Sequence, residues 1–307
     1  MKTVKGDYGK VNSQKGTAVA IGNFDGVHKG HIAILDCLCT LSNEKKLTSV
    51  VYTFSEHPIN LLKGKNVIKA ITDTCEKEKI FEKQGTDTLF LEDFSTVKDL
   101  EAEIFVKDIL VDRLNMKLAV VGENNRFGKN SRGDVSLLKK LGVKYGFETK
   151  VVPPVYLDDF MCSSTIVRKA LENGDIKFAN NILGRNYKIK GEVIGGKKLG
   201  RTYGFPTANI VLDNKKVMPL YAVYATSVIF DGKTYKAITN VGKTSFDEKE
   251  IIRIESFLLD FDGDLYGKEI EIEFIEKMRD FIPFSDVSEL EKQLMADKEK
   301  RILIGEK

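Results

Sequence analysis

A glycine-rich turn between a buried strand and a helix constrains this chain more than any other stretch. The turn runs from Gly22 to His31, with the sequence Gly-Asn-Phe-Asp-Gly-Val-His-Lys-Gly-His. The apolar run 18–21 before it is typical of a buried parallel strand, and apolar residues at 34, 35, 38 and 41 have the spacing of one helix face. Glycines let a ligand approach the backbone, and a helix N-terminus offers free N–H groups. The stretch therefore predicts a phosphate-binding site.

Two histidines, His28 and His31, lie three residues apart where the predicted helix begins. That spacing places both rings on one side of the helix, where they can donate hydrogen bonds to a polyphosphate. A metal-binding pair and a pair of solvated surface histidines are the two other interpretations. We favour phosphate binding because the glycines and Asp25 surround the histidines so closely.

The length and charge of the chain limit its class. A chain of 307 residues can form two domains with separate cores, and 48 basic against 45 acidic residues are too balanced to predict a nucleic-acid partner. No apolar run is long enough to cross a membrane, and the first residues lack the apolar segment of a signal peptide. We therefore expect a cytoplasmic protein with no membrane partner. The four cysteines lack metal-site spacing and are expected to be reduced thiols.

Strand and helix patterns alternate up to about residue 184. We predict strands at 18–21, 49–54, 88–91, 118–121 and 148–152, and helices at 75–83, 97–114 and 135–145. Such alternation is typical of a parallel sheet covered by helices on both faces, with ligands at the carboxyl ends of the strands. Polar turns follow these strand ends, at His57-Pro58 and at 122–128. A further helix begins at Ser163-Ser164-Thr165, where Arg168 can bind a phosphate with two hydrogen bonds, although a plain helix cap has the same pattern.

The second half has a different pattern. Short strands are predicted at 187–194, 222–230, 233–238, 251–260 and 269–275, and Asp231-Gly232 is a strong hairpin signal. Consecutive hairpins favour an antiparallel sheet closed into a small barrel. A final helix is predicted at 287–300, with Leu290 and Leu294 facing inward.

Two features of the second half suggest phosphate chemistry. The glycine and lysine loop 191–201 can surround a triphosphate, and Thr207 and Asn209 supply neutral oxygens suited to Mg²⁺. A mobile hairpin is the alternative interpretation of that loop. Glu255 is polar on an otherwise apolar strand, so it is either an edge-strand surface residue or a carboxylate that accepts the proton of an alcohol during phosphoryl transfer.

The chain resembles the prokaryotic bifunctional riboflavin kinase/FAD synthetase family. The resemblance rests on Gly-x-Phe-Asp-Gly-x-His-x-Gly-His at 22–31, Ser-Ser-Thr-x-x-Arg at 163–168, and the loop 191–201 followed by Gly-Phe-Pro-Thr-Ala-Asn at 204–209. It implies a Rossmann-like α/β nucleotidylyltransferase domain with a parallel sheet at 1–184. It also implies an antiparallel β-barrel riboflavin kinase domain with a closing helix at 185–307. The expected reactions convert riboflavin and ATP into FMN and ADP, and FMN and ATP into FAD and pyrophosphate, with Mg²⁺ as cofactor.

The resemblance also implies roles for individual residues. The expected catalytic residues are His28, His31, Asn124, Arg168 and Glu255. The expected ATP-binding residues are Gly22, Phe24, Asp25, Gly26, His28, Gly30, His31, Ser163, Ser164, Thr165, Arg168, Gly191, Gly195, Lys197, Gly200, Thr207 and Asn209, of which Thr207 and Asn209 also bind the metal. The expected flavin-binding residues are His57, Pro58, Asn124, Phe127, Arg201, Phe205, Pro206 and Arg279.

The chain departs from the family pattern at three places. Asn125 replaces an aromatic or apolar residue, Ala222 replaces a glycine, and the segment 240–246 lacks a proline-threonine pair. Two alternatives to the bifunctional enzyme are a nucleotidylyltransferase with a degenerate kinase domain and a flavin-sensing protein without turnover. In the bifunctional case we expect only small-molecule partners, namely ATP, riboflavin and FMN, and a monomer or weak homo-oligomer.

Overall fold

A computed structural model describes residues 1–6, 11, 13–64, 67–195, 206–211, 215–246 and 249–305. Contacts within the chain divide it into two compact units, Met1–Ser164 and Thr165–Lys307. This division lies about twenty residues before the boundary predicted near residue 184, which stays a prediction.

The first unit is built on a sheet of six strands with helices between them. The strands are β1 (Lys2–Lys5), β2 (Thr17–Ile21), β3 (Thr48–Phe54), β4 (Thr88–Glu92), β5 (Met116–Gly122) and β6 (Glu148–Val152). The helices are α1 (Lys29–Lys45), α2 (Pro58–Lys63), α3 (Thr74–Lys83), α4 (Phe94–Val97), α5 (Ala102–Ile104, continued by a π-helical stretch Phe105–Arg113) and α6 (Val135–Tyr145). A small hairpin follows, with β7 (Tyr156–Leu157) and β8 (Phe160–Met161).

All neighbouring strands of this sheet are parallel, in the order β1-β4-β3-β2-β5-β6. Strand β2 is buried along its whole length because both faces of the sheet are covered. Ala20 packs in a cluster with Leu35 of α1, and Val19 packs on the other face with Leu138 of α6. The predicted parallel sheet between helices is confirmed. Its order turns back at β2, whose two neighbours are β3 and β5, and such a switch point is where ligands bind.

A carboxylate is buried at the end of β4. Glu92 is fully buried, and it accepts hydrogen bonds from the Tyr52 hydroxyl at 3.3 Å and from the Arg113 guanidinium at 3.2 Å. Removal from water raises the pKa of Glu92, and the Arg113 charge opposes that shift only in part. The first unit therefore holds an acid that retains its proton to a higher pH than an exposed glutamate does.

The second unit is a closed barrel with helices around it. It contains α7 (Ser164–Glu172), which begins at the division between the units, α8 (Ile176–Leu183) and α9 (Val287–Leu303). The strands are β9 (Tyr187–Ile194), β10 (Thr207–Val211), β11 (Ala222–Phe230), β12 (Lys233–Phe246), β13 (Lys249–Leu258) and β14 (Glu269–Asp280). Their order is β10-β13-β12-β11-β14-β9, and neighbours are antiparallel, which confirms the predicted barrel.

Side chains of the barrel alternate between its interior and its outer face. Along β13, Ile254, Ser256 and Leu258 are buried, whereas Glu255 is only partly buried and belongs to the other face. Inside, the Ser256 hydroxyl lies 2.7 Å from that of Thr239, which lies 2.7 Å from that of Thr226. The register that fills the interior therefore also fixes the outward position of Glu255.

Helix α9 is attached to the barrel by charged side chains. Leu290 and Leu294, predicted to face inward, are only partly buried, whereas Asp297 and Arg301 are buried. The Arg301 guanidinium donates hydrogen bonds to the backbone carbonyls of Thr226 at 2.8 Å and Ala237 at 3.1 Å. Residues 290, 294, 297 and 301 share one helix face, so the two leucines lie on the side of the helix that also carries Asp297 and Arg301. The buried end of that face is charged because carbonyl oxygens of two strands lie under it and need donors.

The predicted helix at 97–114 is interrupted in the structure. The Leu100 carbonyl accepts a hydrogen bond from the Lys129 N–H at 2.7 Å, in the break between α4 and α5. Gly128 packs there so closely that an added Cβ would lie 2.6 Å from the Cα of Ala102. The break makes room for the loop that follows β5. Helices α2, α4 and α8 and strands β1, β7, β8 and β10 were not predicted.

Candidate active sites

The glycine-rich turn has a strained backbone held by an acidic side chain. Phe24 and Val27 have positive φ angles of 47° and 38°, which bulky residues rarely adopt. The Asp25 carboxylate, which is buried, accepts hydrogen bonds from the backbone N–H groups of Ile71 at 3.0 Å and Thr72 at 3.2 Å. The carboxylate of Asp25 faces the chain at 71–72, and the predicted contact of Asp25 with ATP stays a prediction. This carboxylate fixes the turn on which the histidines stand.

The two histidines of the turn lie face to face. Their ring centroids are 3.8 Å apart at an interplanar angle of 23°, and His28 directly precedes the first residue of α1. His28 is only 6% exposed, so a pair of solvated surface histidines is the wrong interpretation. An added Cβ at Gly30 would lie 3.1 Å from the His28 ring. The Phe24 ring is fully buried against His31, so any contact of Phe24 with ATP must involve its backbone.

A metal ion bound by the two histidines would need further histidine, cysteine or acidic ligands. Within the described ranges, no group of three or more histidine, cysteine, aspartate or glutamate side chains is placed to hold a metal ion. The N–H groups at the start of α1 and the stacked imidazoles form a set of hydrogen-bond donors. Such a set suits anionic oxygens.

The Ser-Ser-Thr segment reaches the turn through one hydroxyl. Ser164 donates a hydrogen bond to the Asp25 carbonyl at 2.7 Å, and the Cys162 carbonyl would lie 3.4 Å from a Cβ at Gly30. Thr165 and Arg168 follow in α7, beyond the division between the two units. The predicted contribution of Arg168 to the phosphate site stays a prediction.

Two residues predicted to bind flavin lie after β3, close to the turn. The His57 Nε2 is 3.3 Å from the Asn23 amide nitrogen, and the His57 Nδ1 accepts a hydrogen bond from the Ile59 N–H at 3.3 Å. Pro58 is the first residue of α2. The structure therefore brings the third histidine of the chain to the edge of the sheet where the other two lie.

The loop after β5 approaches the same edge. Asn125 donates a hydrogen bond to the Ile21 carbonyl at 2.9 Å and so joins this loop to the end of β2. Asn124 is exposed, with its amide nitrogen 4.0 Å from the Met161 sulfur. Phe127, predicted to bind flavin, is only 6% exposed and packs in the core. Asn125, one of the three departures from the family pattern, thus has a structural role.

The second unit contains a cavity of about 290 Å³ on the outer face of its barrel. Its walls combine one acidic, one basic, one amide and several apolar or aromatic residues, namely Glu255, Arg253, Asn240, Tyr221, Val241, Gly242 and Phe281. That volume is near the lower end for small-molecule sites. Of these residues the sequence analysis singled out only Glu255. Asn240, Gly242 and Arg253 follow from strand register, since alternate residues of β12 and β13 share one face.

Glu255 lies between two asparagines on neighbouring strands. It is directly opposite Asn209 of β10 and directly opposite Asn240 of β12. The Asn209 amide nitrogen lies 3.2 Å from the Thr207 carbonyl oxygen and 3.4 Å from the Thr207 hydroxyl. The Asn209 Oδ1 atom is buried and has no hydrogen-bond partner among the described residues. Glu255 itself is half-buried and lines the cavity. The interpretation of Glu255 as an edge-strand residue is wrong because β13 has a partner strand on each side.

The remaining predicted residues of the second unit are dispersed. Gly191 lies in β9, Gly195 follows it, and Pro206 is exposed just before β10. Arg279 donates hydrogen bonds to the Asp297 carboxylate at 2.7 and 3.0 Å, so its guanidinium is held by α9. Four other predicted residues, Lys197, Gly200, Arg201 and Phe205, lie outside the described residues.

Comparison with known proteins assigns a family model to each half of the chain. A model described as FAD synthetase matches residues 10–166, and one described as riboflavin kinase matches residues 183–303. A bifunctional riboflavin kinase/FMN adenylyltransferase from Buchnera aphidicola is 36% identical over 97% of this chain and 96% of its own length. One with the same name from Haemophilus influenzae is 34% identical over 97% of each chain.

A solved structure has the same fold over nearly the whole chain. It is described as a macrolide-efflux protein from Streptococcus pneumoniae, is 30% identical, covers 99% of this chain and 100% of its own, and has a TM-score of 0.91. In the part of this chain that the structure describes, no helix has the length and apolar character needed to span a membrane. With both family models matched in order and curated relatives aligned from end to end, the chain belongs to the bifunctional riboflavin kinase/FMN adenylyltransferase family.

Proposed function

We propose that the barrel phosphorylates riboflavin at the cavity that contains Glu255. The Glu255 carboxylate accepts the proton of the riboflavin 5′-hydroxyl, whose oxygen forms a bond to the γ-phosphorus of ATP. The bond between that phosphorus and the β,γ-bridging oxygen breaks, and FMN and ADP result. The single observation that supports this assignment is the carboxylate in a cavity of about 290 Å³ beside a threonine and two asparagines.

The residues beside Glu255 fit a magnesium ion on one side only. The buried Asn209 Oδ1 lacks a partner among the described residues, and the Thr207 hydroxyl is adjacent to the same carboxamide. Neutral oxygens of this kind are typical of Mg²⁺ sites completed by phosphates and water. When bound, Mg²⁺ would reduce the negative charge of the ATP phosphates. We therefore assign Thr207 and Asn209 as the residues that hold it.

We propose that the first unit transfers AMP to the FMN phosphate. An FMN phosphate oxygen forms a bond to the α-phosphorus of a second ATP, the bond to the bridging oxygen breaks, and FAD and pyrophosphate result. The attacking oxygen is already anionic, so this step requires no strong base. His28, His31 and the N–H groups at the start of α1 stabilise the charge on the α-phosphate, with Arg168 as a further cation.

The proposed division of labour is an adenylyltransferase domain at 1–184 and a kinase domain at 185–307. The family matches at 10–166 and 183–303 support a division between these segments. Because both steps consume ATP, we also propose a cytoplasmic location. We expect a monomer or weak homo-oligomer, which size-exclusion chromatography with light scattering would test.

A product assay tests the proposed function directly. The purified chain is incubated with riboflavin, ATP and Mg²⁺, and the flavins are separated by chromatography. We expect FMN to form first and FAD to follow. FAD from added FMN but no FMN from riboflavin would instead support a single-activity nucleotidylyltransferase, and tight flavin binding without ATP consumption would support a sensor.

A further inference from the structure

Asn240 lies beside Glu255 with a carboxamide oxygen that lacks a donor. The two residues are directly opposite each other in the register of β12 and β13, and both line the cavity. The Asn240 Oδ1 atom is buried and accepts no hydrogen bond from any described residue. A buried carbonyl oxygen without a donor is costly, so a ligand that brings a hydroxyl or N–H group to it gains affinity.

Glu255 lies between Asn240 and Asn209, whose carboxamide oxygens have different surroundings. Asn209, on the opposite side of Glu255, is adjacent to the Thr207 hydroxyl, and that pair suits a cation and its phosphates. On the β12 side, the cavity walls include Asn240, Val241 and Gly242. Gly242 leaves space there, since an added Cβ would lie 3.8 Å from the Asn240 amide nitrogen, and the cavity walls include the aromatic rings of Tyr221 and Phe281.

Phosphoryl transfer constrains which substrate occupies each side. The attacking oxygen lies between its base and the γ-phosphorus, roughly in line with the leaving oxygen. If the phosphates lie toward Thr207 and Asn209, the body of the alcohol substrate extends away from them, toward Asn240. A polyol carries its next hydroxyl on the adjacent carbon, and the Cβ atoms of directly opposite residues are about 4.5–5.5 Å apart. The next hydroxyl can therefore reach Asn240 while the terminal one reaches Glu255.

We propose that the Asn240 Oδ1 atom accepts a hydrogen bond from the 4′-hydroxyl of the riboflavin side chain and so holds the 5′-hydroxyl against Glu255. This inference rests on the proposed function because it concerns the substrate of the same cavity. Asn240 is a substrate-binding residue that distinguishes a polyol from a simple alcohol. An apolar side chain at this position leaves the 4′-hydroxyl without its acceptor.

The test combines a variant with a substrate analogue. Steady-state FMN formation is measured for the full chain and for Asn240→Ala, each with riboflavin and with 4′-deoxyriboflavin. We expect Asn240→Ala to lower kcat/KM for riboflavin about tenfold to a hundredfold while the KM for ATP stays the same. With the wild-type chain, kcat/KM for 4′-deoxyriboflavin should be lower than that for riboflavin by a similar factor. Asn240→Ala should lower kcat/KM for the analogue no further, because each change removes the same hydrogen bond.

Two controls keep the inference falsifiable. Asn186→Ala makes the same substitution at a partly buried residue directly before β9 that hydrogen-bonds Glu273 and is not among the cavity-lining residues, and it should match the wild-type chain. If Asn240→Ala fails to fold, the same assay is made with Asn240→Ser. The kcat/KM of the wild-type chain for the analogue then gives a second, independent test. The inference is overturned if the losses from the variant and from the analogue multiply. It is also overturned if Asn240→Ala raises the KM for ATP as much as the KM for riboflavin. Failure of the unchanged chain to make any FMN overturns the proposed function instead.

Discussion

The two candidate sites position their polar side chains by different structural means. In the first unit the groups stand on a turn between β2 and α1, and the Asp25 carboxylate holds that turn against the strain at Phe24 and Val27. In the second unit, Glu255 and its two asparagines stand on three neighbouring strands and are aligned by register alone. The proposed roles of these groups account for the difference. When the nucleophile is an anionic phosphate, the site needs hydrogen-bond donors around the charge that develops on the ATP phosphates. When the nucleophile is a neutral alcohol, the site needs a base at a fixed distance to accept the hydroxyl proton.

The largest expected effect tests whether Glu255 serves the kinase reaction alone. We expect Glu255→Gln to lower FMN formation about 10²- to 10⁴-fold, the usual contribution of a general base, and to leave FAD formation from added FMN unchanged. Both products are measured by chromatography in the same preparation. Glu299→Gln, an exposed position on α9, is the matched control. Equal loss of both activities in the folded variant would contradict the division of labour.

The reciprocal change removes one of the stacked imidazoles. We expect His28→Ala to lower FAD formation from FMN about 10²- to 10³-fold, as loss of a donor to developing charge typically does. FMN formation from riboflavin should stay the same and serves as the internal control. A variant that loses less than threefold in FAD formation would show that the imidazole pair does not contact the reacting phosphates.

A third prediction tests how strongly helix α9 stabilises the strands that set the register of the second site. Arg301→Met removes the donor to the Thr226 and Ala237 carbonyls in a fully buried position. We expect the free energy of opening of β11 and β12 to fall by about 3 kcal/mol, or roughly a hundredfold in amide exchange rate, measured by hydrogen exchange and mass spectrometry. Peptides from the first unit should exchange at the rate of the unchanged chain. Lys292→Met, exposed on the same helix, should alter neither.

The smallest expected effect concerns pH and the first unit alone. Because burial raises the pKa of Glu92, the folded chain holds this proton to a higher pH than the unfolded chain does. The stabilising contribution is therefore full below the ordinary glutamate pKa of about 4.3 and is lost as the pH rises through the higher folded value. We expect Glu92→Gln to lack this loss. Urea unfolding at a series of pH values, with exposed Glu44→Gln as control, measures the difference.

Much of the architecture could be predicted because its pattern is local. The strand and helix on either side of the glycine-rich turn, the hairpin at Asp231-Gly232 and the final helix were all visible as apolar periodicity or turn signals. Strand β1 escaped prediction because it is an edge strand with three of its four residues exposed. Helix α8 escaped because Gly174 and Gly184 suggested a loop, although Gly184, with φ of 74°, directly follows the helix end.

The parts of the sites that escaped prediction depend on contacts between distant segments. The contact of Asp25 with the chain at 71–72, the packing of Phe127 in the core and the pairing of Arg279 with Asp297 join residues that no local pattern relates. Asn240 stood in a segment noted only for its departure from the family pattern. Its position opposite Glu255 became visible once the strands were paired.

Alternation along β13 means that neighbours of Glu255 face the opposite way. Insertion or deletion of one residue within that strand would turn the carboxylate toward the barrel interior and present Ile254 or Ser256 to the substrate. Ring closure leaves no free edge where such a shift could be absorbed. We therefore expect a one-residue insertion or deletion within β13 to abolish FMN formation, whereas a change of length in a connecting loop leaves the register of Glu255 intact.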